Sequence, residues 1–425
     1  MYEALSGQLK KEKLTRVLEE LEMPLLPVLV DMELTGVAVD AGQLTKLQKT
    51  VAKRIESLQR RIWKEAGEEF NINSTQQLRE ILFNKLKLST VAIARKQSGF
   101  STAASELDKL MGQHPIIGLL AQYRELTKLQ NTYIEVLPEL VANKTGRIYG
   151  EFNQVVAATG RISSQNPNLQ NIPARTELGQ EIRAAFVAPK GKVLVKADYS
   201  QIELRLAAHL SQDENMTAAF RAGEDIHAAT AARVYGVDVK DVQPKQRRAA
   251  KTLNFGVLYG MGPQSFARAA KVSVEEARSF IGRYREQYSG LTKFIEATLE
   301  EARATQTVTT MFGRKRHMPE INSRAPMIRA QAERVAFNFP LQGSAADILK
   351  KAMIQLHEHL KKKYPKAKLV LTVHDELVAE VPEKDAKKVA ADMKKIMESV
   401  ATLDVPLVVD ASVGKNWRDM TPTPA

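Results

Sequence analysis

Two adjacent carboxylates interrupt an apolar segment near the end of the chain. The segment LVLTVHDELVAEV, residues 369–381, places His374, Asp375 and Glu376 between two stretches of alternating apolar side chains. This alternation predicts two short strands joined by a tight turn. Hairpin turns favour Gly and Asn, because these residues tolerate a positive φ. Two negative charges at such a turn need a partner that holds them there.

A third carboxylate, Asp198, ends a short apolar strand that is predicted at residues 193–198. If this strand pairs beside the 369–381 hairpin, Asp198 and Asp375 converge at one edge of a sheet. Two close carboxylates repel each other unless they are protonated or bridged by a cation. Oxygen ligands without a His or Cys cluster suit Mg²⁺, which takes its remaining ligands from water and substrate phosphates. For either aspartate taken alone, a solvent-exposed acidic turn is the favoured alternative.

A second group of residues is suited to phosphate and to flat aromatic partners. Arg247, Lys251, Phe255 and Tyr259 recur every four positions in QRRAAKTLNFGVLYGMGP, so they form one stripe on a predicted helix that ends at the glycines. Arginine binds phosphate oxygens bidentately, lysine adds a point charge, and the two rings offer flat surfaces to a base and a sugar. The alternative is an amphipathic helix with a solvated basic end and its rings in the core. The segment has neither a Walker phosphate loop nor a complete dinucleotide-binding fingerprint.

A third stripe carries polar residues that suit the minor groove of DNA. Arg334, Asn338 and Gln342 are spaced by four in RVAFNFPLQG, and Pro340 is expected to disturb a regular helix there. Such donors reach N3 of purines and O2 of pyrimidines, which every base pair presents in similar positions. They would sense the shape of a base pair without reading its sequence. Ordinary surface polarity explains this segment nearly as well.

The composition favours a globular protein of several parts with a polyanionic partner. The 425 residues include 44% hydrophobic residues, enough for a sizeable core, and the length predicts two or three subdomains. Lysine and arginine outnumber aspartate and glutamate by 62 to 49, which favours nucleic acid or, less strongly, an anionic membrane surface. Cysteine is absent, which excludes disulfides and thiolate zinc sites. Neither a signal peptide nor a membrane-spanning segment is predicted, so we expect a soluble protein.

The elements that must position these residues change in character along the chain. Residues 41–141 are predicted to form a charged helical projection with a flexible basic interruption at residues 94–102. The Ser-, Asn- and Pro-rich segment 159–175 is predicted as a loop, although it carries two arginines. Helices then dominate from the strand that ends near Asp198 to about residue 305, and strands resume in TVTTMFGRKRHMP. Strands therefore lie on either side of a helical insert.

Three motifs, in this order, resemble those of the family A DNA polymerases, the DNA polymerase I family. DYSQIELRLAAHLS resembles motif A of that family, RRAAKTLNFGVLYG resembles motif B, and VHDE resembles motif C. TGRISSQNPNLQNIP, YRELTKLQNTY and the terminal VGKNW extend the resemblance over essentially the whole chain. The resemblance implies an α+β fold with a right-hand polymerase architecture, in which an antiparallel-sheet palm carries helical fingers and a helical thumb.

The subdomains that this resemblance implies follow the chain in five segments. They are an N-terminal part of the palm at 1–45, the thumb at 46–142, palm with motif A at 143–210, fingers with motif B at 211–305, and palm with motif C at 306–425. Closure of the fingers would bring the motif B helix onto a correctly paired nucleotide. Because the thumb begins so early, we expect neither a 3′–5′ proofreading exonuclease domain nor a 5′ nuclease domain.

The resemblance also implies the reaction, that of a DNA-directed DNA polymerase, a nucleotidyltransferase of DNA replication or repair. The primer 3′ hydroxyl attacks the α-phosphate of a deoxynucleoside triphosphate, and pyrophosphate leaves. Two Mg²⁺ ions, for which Mn²⁺ can substitute, would be held by Asp198, Asp375 and the backbone carbonyl of Tyr199. Glu376 is expected to support this catalytic site, and Lys251 is expected to act on the triphosphate during catalysis.

The same carry-over assigns each remaining candidate residue to a substrate. The nucleotide-binding residues are Arg247, Lys251, Phe255, Tyr259, His227, Gln201 and Glu203, the last as a steric gate against a ribose 2′ hydroxyl. The DNA-binding residues are Arg161, Arg334, Asn338, Gln342, His374, and the phosphate contacts Arg95 and Lys96. We expect a monomer that binds primer-template DNA and deoxynucleoside triphosphates and no membrane. Its expected place is the cytoplasm, at a bacterial nucleoid or in a phage-infected cell, with an organelle left open.

Three rival functions can each be distinguished from DNA synthesis by an assay or by a feature of the sequence. A metal-dependent nuclease would share the paired aspartates without needing the Arg-Lys-Phe-Tyr stripe, and labelled primer-template with Mg²⁺ would separate shortening from extension. A purely DNA-binding relative would keep the positive charge but lose the metal ligands, and both aspartates are present. A single-subunit RNA polymerase is the nearest competitor among polymerases, and the choice of nucleotide decides between the two.

Overall fold

The computed structural model describes residues 2–91 and 93–423, apart from the side chains of Tyr2 and Ala4. Helices and a short strand open the described chain: α1 (Tyr2–Lys11), α2 (Thr15–Val17), α3 (Met23–Thr35) and β1 (Val37–Ala38). One face of α3 is buried in the main core of the molecule, because its apolar residues recur with the helical period.

A mainly helical segment follows, and its first helix is defined by its two end residues. Asp40 caps α4 by accepting a hydrogen bond of 2.9 Å from the backbone of Gln43, and Gly67, with a φ of 73°, ends the helix in the left-handed conformation. The elements are α4 (Ala41–Ala66), α5 (Thr75–Arg79), β2 (Arg95–Lys96), β3 (Gly99–Phe100), α6 (Ala104–Leu107), α7 (Pro115–Leu129) and α8 (Val136–Leu140). The basic segment 94–102, predicted as an interruption, contains the β2–β3 hairpin. Helix α4 begins before the expected thumb boundary at residue 46.

The next segment leads the chain into the centre of the main sheet. It contains β4 (Arg147–Ile148), β5 (Glu151–Asn153), β6 (Ser163–Gln165), α9 (Glu177–Ala184), β7 (Lys192–Tyr199) and α10 (Ile202–Ser211). Strand β4 pairs with β1, and β5 pairs with β6 as a hairpin whose connecting loop carries Arg161. Since α10 begins three residues after the end of β7, the side chains of DYSQIE stay within one helical turn of the strand end.

Helices fill residues 211–305, as the sequence predicts. They are α11 (Glu214–Arg221), α12 (Ile226–Tyr235), α13 (Pro244–Leu258), α14 (Pro263–Ala270), α15 (Val274–Gln287) and α16 (Ser289–Thr305). Asp213, Asp225 and Ser273 cap α11, α12 and α15 with side-chain oxygens. The helix that carries the Arg-Lys-Phe-Tyr stripe is α13, and Tyr259 is its C-cap residue.

The C-terminal part combines a long helix with the remaining strands. The elements are β8 (Thr307–Thr309), β9 (Lys315–His317), α17 (Pro326–Lys363), β10 (Lys368–Val373), β11 (Glu376–Pro382), α18 (Ala386–Ser399), β12 (Val409–Gly414) and β13 (Met420–Pro422). The expectation that Pro340 disturbs the helix is wrong, because α17 continues through it for 38 residues in all. Proline removes one backbone donor, and the buried neighbours Phe339 and Leu341 hold the helix in place around that loss.

The main sheet, formed within residues 93–423, has the strand order β10–β11–β7–β12–β13, and neighbouring strands are antiparallel. In the centre, Asp198 of β7 is paired with Glu376 of β11 on one side and with Asp410 of β12 on the other. The predicted pairing of this strand with the hairpin is therefore confirmed. This register aligns acidic residues of β11, β7 and β12 in one row across the sheet.

Buried side chains form cores on both faces of this sheet. Val195 and Leu194, adjacent in β7, pack into different cores, because successive strand residues point to opposite faces. A central strand that is covered on both faces is apolar along most of its length, as β7 is. Within residues 2–91 and 93–423, no helix is long and apolar enough to cross a membrane.

Candidate active site

The end of β7 brings together two aspartates that are far apart in the sequence. Asp198 lies one residue before the end of that strand, and Asp375 lies in the turn between β10 and β11. The backbone N–H of Tyr199 donates to the carbonyl oxygen of Asp375 at 3.3 Å, which holds the two segments side by side. His374, the other turn residue, has a φ of 57°, so histidine takes a conformation for which hairpins usually use Gly or Asn.

Burial and neighbouring acids raise the pKa of both aspartates. Removal from water, and then the charges of Asp375 and Glu376, raise the pKa of Asp198 to about 7. Burial also raises the pKa of Asp375. A bound cation would remove this cost, and carboxylate oxygens are the donors that Mg²⁺ prefers. Among residues 2–91 and 93–423, no group of three or more His, Cys, Asp or Glu side chains is arranged to hold an ion.

The side chains next to the aspartates are engaged with other partners. Tyr199 is buried, and its hydroxyl donates to the carbonyl oxygen of Met397 at 2.7 Å, so its side chain is not available to a cation. Glu376 accepts a hydrogen bond of 2.7 Å from the indole nitrogen of Trp417, and its other oxygen lies 3.6 Å from Nζ of Lys196. Neither contact of Glu376 is predicted by the sequence.

The predicted Arg-Lys-Phe-Tyr stripe of α13 lines one open cavity of about 960 Å³. Its members there are Arg247, Lys251, Phe255 and Tyr259. The rings of Phe255 and Tyr259 are nearly parallel, at 12°, with their centroids 6.4 Å apart. Lys251 is exposed, Phe255 is half-buried and Tyr259 is 42% exposed, so the alternative with both rings in the core does not hold. The stripe therefore presents cations followed by aromatic faces to one open space.

Helix α12 places an acid and a histidine beside this stripe. Nη2 of Arg247 lies 2.6 Å from Oδ2 of Asp225, the residue that caps α12. His227 is 2% exposed, and its Nδ1 lies 3.0 Å from the side-chain nitrogen of Asn254, which can only donate. Burial lowers the pKa of His227 to about 4, so the ring is neutral at pH 7. A phosphate contact by His227 would therefore be a hydrogen bond from a neutral ring rather than an ion pair.

Glu203 links three parts of the site. Its Oε1 lies 2.5 Å from Nη2 of Arg161, and its other oxygen accepts a hydrogen bond from the hydroxyl of Tyr259. Glu203 is 8% exposed and stands on the first turn of α10, just beyond Asp198. Gln201, the N-cap residue of that helix, has a φ of 55° and a buried side-chain oxygen without a hydrogen-bond partner in the described part of the chain. One carboxylate thus joins the loop of Arg161, α10 and the end of α13.

The third predicted stripe lies along α17. Arg334, Asn338 and Gln342 follow one another at intervals of about one turn in a continuous helix. Arg334 is exposed, and the other two are half-buried. Arg334 also packs against the turn after α13, where Gly260 has a φ of 67° and a Cβ would overlap the arginine side chain. Glycine is required at that position, because neither the backbone nor the space accommodates a side chain.

A family model matches most of the chain. The model of DNA polymerase family A matches residues 41–419. The chain belongs to DNA polymerase family A. The thermostable DNA polymerase I of Thermus thermophilus is 48% identical to this family A chain over 418 residues, which are 98% of the chain and 50% of that relative. DNA polymerase I of Chloroflexus aurantiacus is 47% identical over 425 residues, which are 99% of the chain and 45% of that relative.

A solved structure has the same fold as this family A chain. It is described as the POL domain of Pol1 from M. smegmatis in complex with DNA primer-template and dNTP. The TM-score is 0.93 at 37% identity. The match covers 98% of the chain described here and 73% of the chain in the solved structure, and it confirms the predicted α+β polymerase fold. The family A chain spans about half the length of the curated relatives it matches. The expectation that nuclease domains are absent therefore stays a prediction.

Two predicted residues of the family A chain stand apart from this site. Arg95 and Lys96 are exposed on β2, in the small hairpin of the mainly helical segment. The guanidinium of Arg95 lies 5.7 Å from the ring centre of Phe100 in the paired strand. Their assignment to DNA phosphates stays a prediction.

Two charged residues near the site of the family A chain were not predicted. Asp410 stands opposite Asp198 in the sheet, and its charge contributes to the raised pKa of that residue. Arg175 lines the same cavity as the stripe of α13. The alternation in LVVDASV would have placed Asp410 on a strand, but only the strand order brings it beside Asp198. Arg175 is the second arginine of the polar segment 159–175. Nothing in the sequence of that segment shows that it reaches this cavity.

Proposed function

We propose that this chain is a DNA-directed DNA polymerase that adds deoxynucleotides to the 3′ end of a primer as the template directs. One observation carries the proposal: Glu203, on the first turn of α10 and five residues after Asp198 of β7, contacts Tyr259 at the end of the α13 stripe. This contact joins the paired aspartates to the cationic and aromatic surface. Relatives named DNA polymerase I, and a similar structure that contains primer-template and dNTP, support the same function.

In the proposed reaction the primer 3′ oxygen attacks the α-phosphate of the incoming nucleotide, the bond from that phosphorus to the bridging oxygen breaks, and pyrophosphate leaves. Asp198, Asp375 and the carbonyl oxygen of Tyr199 would hold two Mg²⁺ ions, or Mn²⁺ in their place. Such ions, when bound, lower the pKa of the attacking hydroxyl and stabilise the charge of the leaving pyrophosphate. The raised pKa values of the two aspartates support this assignment, since cation binding would relieve their burial and repulsion.

The stripe of α13 would bind the nucleotide from its phosphates to its base. Lys251 and Arg247 would neutralise the triphosphate, and Lys251 would stabilise the negative charge that grows on the leaving group. Arg247 would exchange its contact with Asp225 for the phosphates. Phe255 and Tyr259 would line the sugar and base, because their nearly parallel rings face the same cavity.

Glu203 would set the sugar preference of the site. Its carboxylate is held by Arg161 and by the hydroxyl of Tyr259, so it cannot easily move away from a ribose 2′ hydroxyl. A deoxyribose lacks that hydroxyl and would fit. Gln201, which has a buried oxygen without a partner in the described chain, would supply a further polar contact to the nucleotide.

Residues of α17 and of the loops would hold the primer-template duplex. Asn338 and Gln342 lie at one-turn spacing and would donate to minor-groove acceptors, which are alike for all base pairs. Arg334 would act beside them, and His374, exposed next to Asp375, would meet the primer end. The duplex would thus be checked for shape rather than for sequence.

Primer extension tests the proposed function directly. Labelled primer-template is incubated with the purified chain, Mg²⁺ and either deoxynucleotides or ribonucleotides, and template-dependent lengthening with deoxynucleotides is expected. Shortening of the primer would favour a nuclease, and lengthening mainly with ribonucleotides would favour an RNA polymerase. Binding without any change in primer length would leave only a DNA-binding role. Light scattering of the same sample tests the expected monomer.

A further inference from the structure

Three side chains from distant parts of the chain contact one another, and one of them, Glu376, is the neighbour of Asp375 in the chain. The guanidinium of Arg183, in α9, lies 3.9 Å from the ring centre of Trp417, which follows β12. The indole N–H of Trp417 donates to Oε1 of Glu376 at 2.7 Å. All three side chains are buried. Trp417 is also fixed by its backbone N–H, which donates to the carbonyl oxygen of Phe186 at 2.9 Å. The three side chains therefore form one connected, buried group.

The position of Glu376 places its charge close to the candidate cation site. Glu376 follows Asp375 directly, and its Cα is paired with that of Asp198 across the sheet. Side chains of directly opposed residues lie on the same face of a sheet, with Cβ atoms about 5 Å apart. A free carboxylate in this place would be drawn to any cation held by the two aspartates.

Both oxygens of Glu376 are instead held by other groups. Trp417 donates to one oxygen, and Nζ of Lys196 lies 3.6 Å from the other. An indole N–H is a donor without charge, so it directs the carboxylate without neutralising it. The guanidinium of Arg183 lies over the face of the Trp417 ring. The negative charges of Glu376 and Asp198 favour the charged form of this arginine. The acids at the sheet end therefore have a buried positive charge nearby.

We propose that Trp417 is a positioning residue that keeps Glu376 out of the cation site, so that this carboxylate does not join Asp198 and Asp375 as a ligand. Release of Glu376 would add a third carboxylate there. Cation affinity rises with the charge of the ligand set, so the ion would bind more tightly. The same added charge would leave the ion less able to stabilise the negative charge of the reaction. Only this catalytic consequence rests on the proposed function.

Trp417→Phe separates positioning from simple loss of structure, because phenylalanine keeps a ring beside Arg183 but has no N–H. Mn²⁺ binding to the protein alone is measured by electron paramagnetic resonance, and it should tighten by about tenfold. The kcat of single-nucleotide incorporation should fall by about 10- to 100-fold, with little change in the KM for the nucleotide. Weaker Mn²⁺ binding by the folded variant would overturn the proposal.

Two further variants complete the test. Glu376→Gln in the Trp417→Phe background removes the released charge, and it should return Mn²⁺ binding to the wild-type value and restore most of kcat. Trp63→Phe is the matched control, because the N–H of Trp63 in α4 donates to the carbonyl oxygen of Phe70 at the same distance of 2.7 Å. This control should change neither quantity.

Unchanged Mn²⁺ binding and kcat in folded Trp417→Phe would overturn the proposal. Failure of Glu376→Gln to restore either quantity in that background would also overturn it. If Glu376→Gln alone weakens Mn²⁺ binding as much as Asp375→Asn does, Glu376 is itself a ligand and the positioning role is refuted. If the wild-type chain incorporates no nucleotide while the Mn²⁺ results are as expected, the proposed function fails and the positioning role stands.

Discussion

The two charged regions of the site differ in how far their charges are exposed to water. At the end of β7, burial raises the pKa of both Asp198 and Asp375, so their negative charges are costly. Along α13, Arg247 and Lys251 are exposed, and water solvates their charges at little cost. An exposed charge can be positioned by the spacing within one helix, whereas a buried charge needs partners from distant segments. We therefore expect single substitutions to have their largest effects at the sheet end.

Asp375→Asn tests the sheet end most severely, because it removes a charge while keeping the size of the side chain. We expect single-turnover incorporation to fall by about 10³-fold or more, since a cation ligand is weakened where negative charge must be stabilised. Thermal unfolding should show no loss of stability, because a repelling carboxylate has been removed. Primer-template affinity, measured by fluorescence anisotropy, should stay nearly unchanged. Near-normal incorporation by the folded variant would show that the sheet end is no more sensitive to substitution than α13.

Lys251→Ala tests the α13 side of the comparison. The catalytic efficiency for the nucleotide should fall by about 10- to 100-fold, because a charge-assisted contact to the triphosphate is lost. Primer-template affinity should change little. The matched control is Lys293→Ala, which removes an exposed lysine from α16 and should leave nucleotide use unchanged. A loss of DNA affinity with normal nucleotide dependence would assign α13 to the duplex instead.

Glu203→Ala tests the residue that connects the two regions. We expect the efficiency ratio of matched ribo- to deoxynucleotides to rise by about tenfold or more, at some cost in deoxynucleotide incorporation. Glu203→Gln keeps the size of the side chain. If that size is what excludes the ribose 2′ hydroxyl, the ratio should stay close to that of the wild type. An unchanged ratio in an active alanine variant would show that Glu203 has only a structural role, in which its carboxylate holds Arg161 and Tyr259.

Asp225→Asn should have the smallest effect of these substitutions. Asparagine still caps α12, and the lost ion pair with Arg247 is exposed on both sides, so it contributes only about 0.2–1 kcal/mol. Release of Arg247 should change the KM for the nucleotide by less than about fivefold, the equivalent of that free energy. Steady-state kinetics at low and high salt provide the measurement. A change as large as that of Lys251→Ala would mean that the pair controls nucleotide binding.

Patterns within one element predicted the structure well, because they depend on local geometry. The α13 stripe follows from the helical period, and the hairpin around Asp375 follows from strand alternation. Pro340 shows the limit of such reasoning, since local preference argues against a helix that packing nevertheless maintains. Tyr259 shows another limit, because a residue of the predicted stripe is the C-cap rather than part of the helix.

The sequence by itself determined the chemistry that is available: paired aspartates, a run of cations and rings on one helix, and the family to which they belong. Only the tertiary structure decided that His227 is buried and neutral, that Asp410 stands opposite Asp198, and that Trp417 holds Glu376. These facts depend on strand order and on which side chains the packed core withdraws from water. Such interactions join segments that are distant in the chain, so no local spacing encodes them.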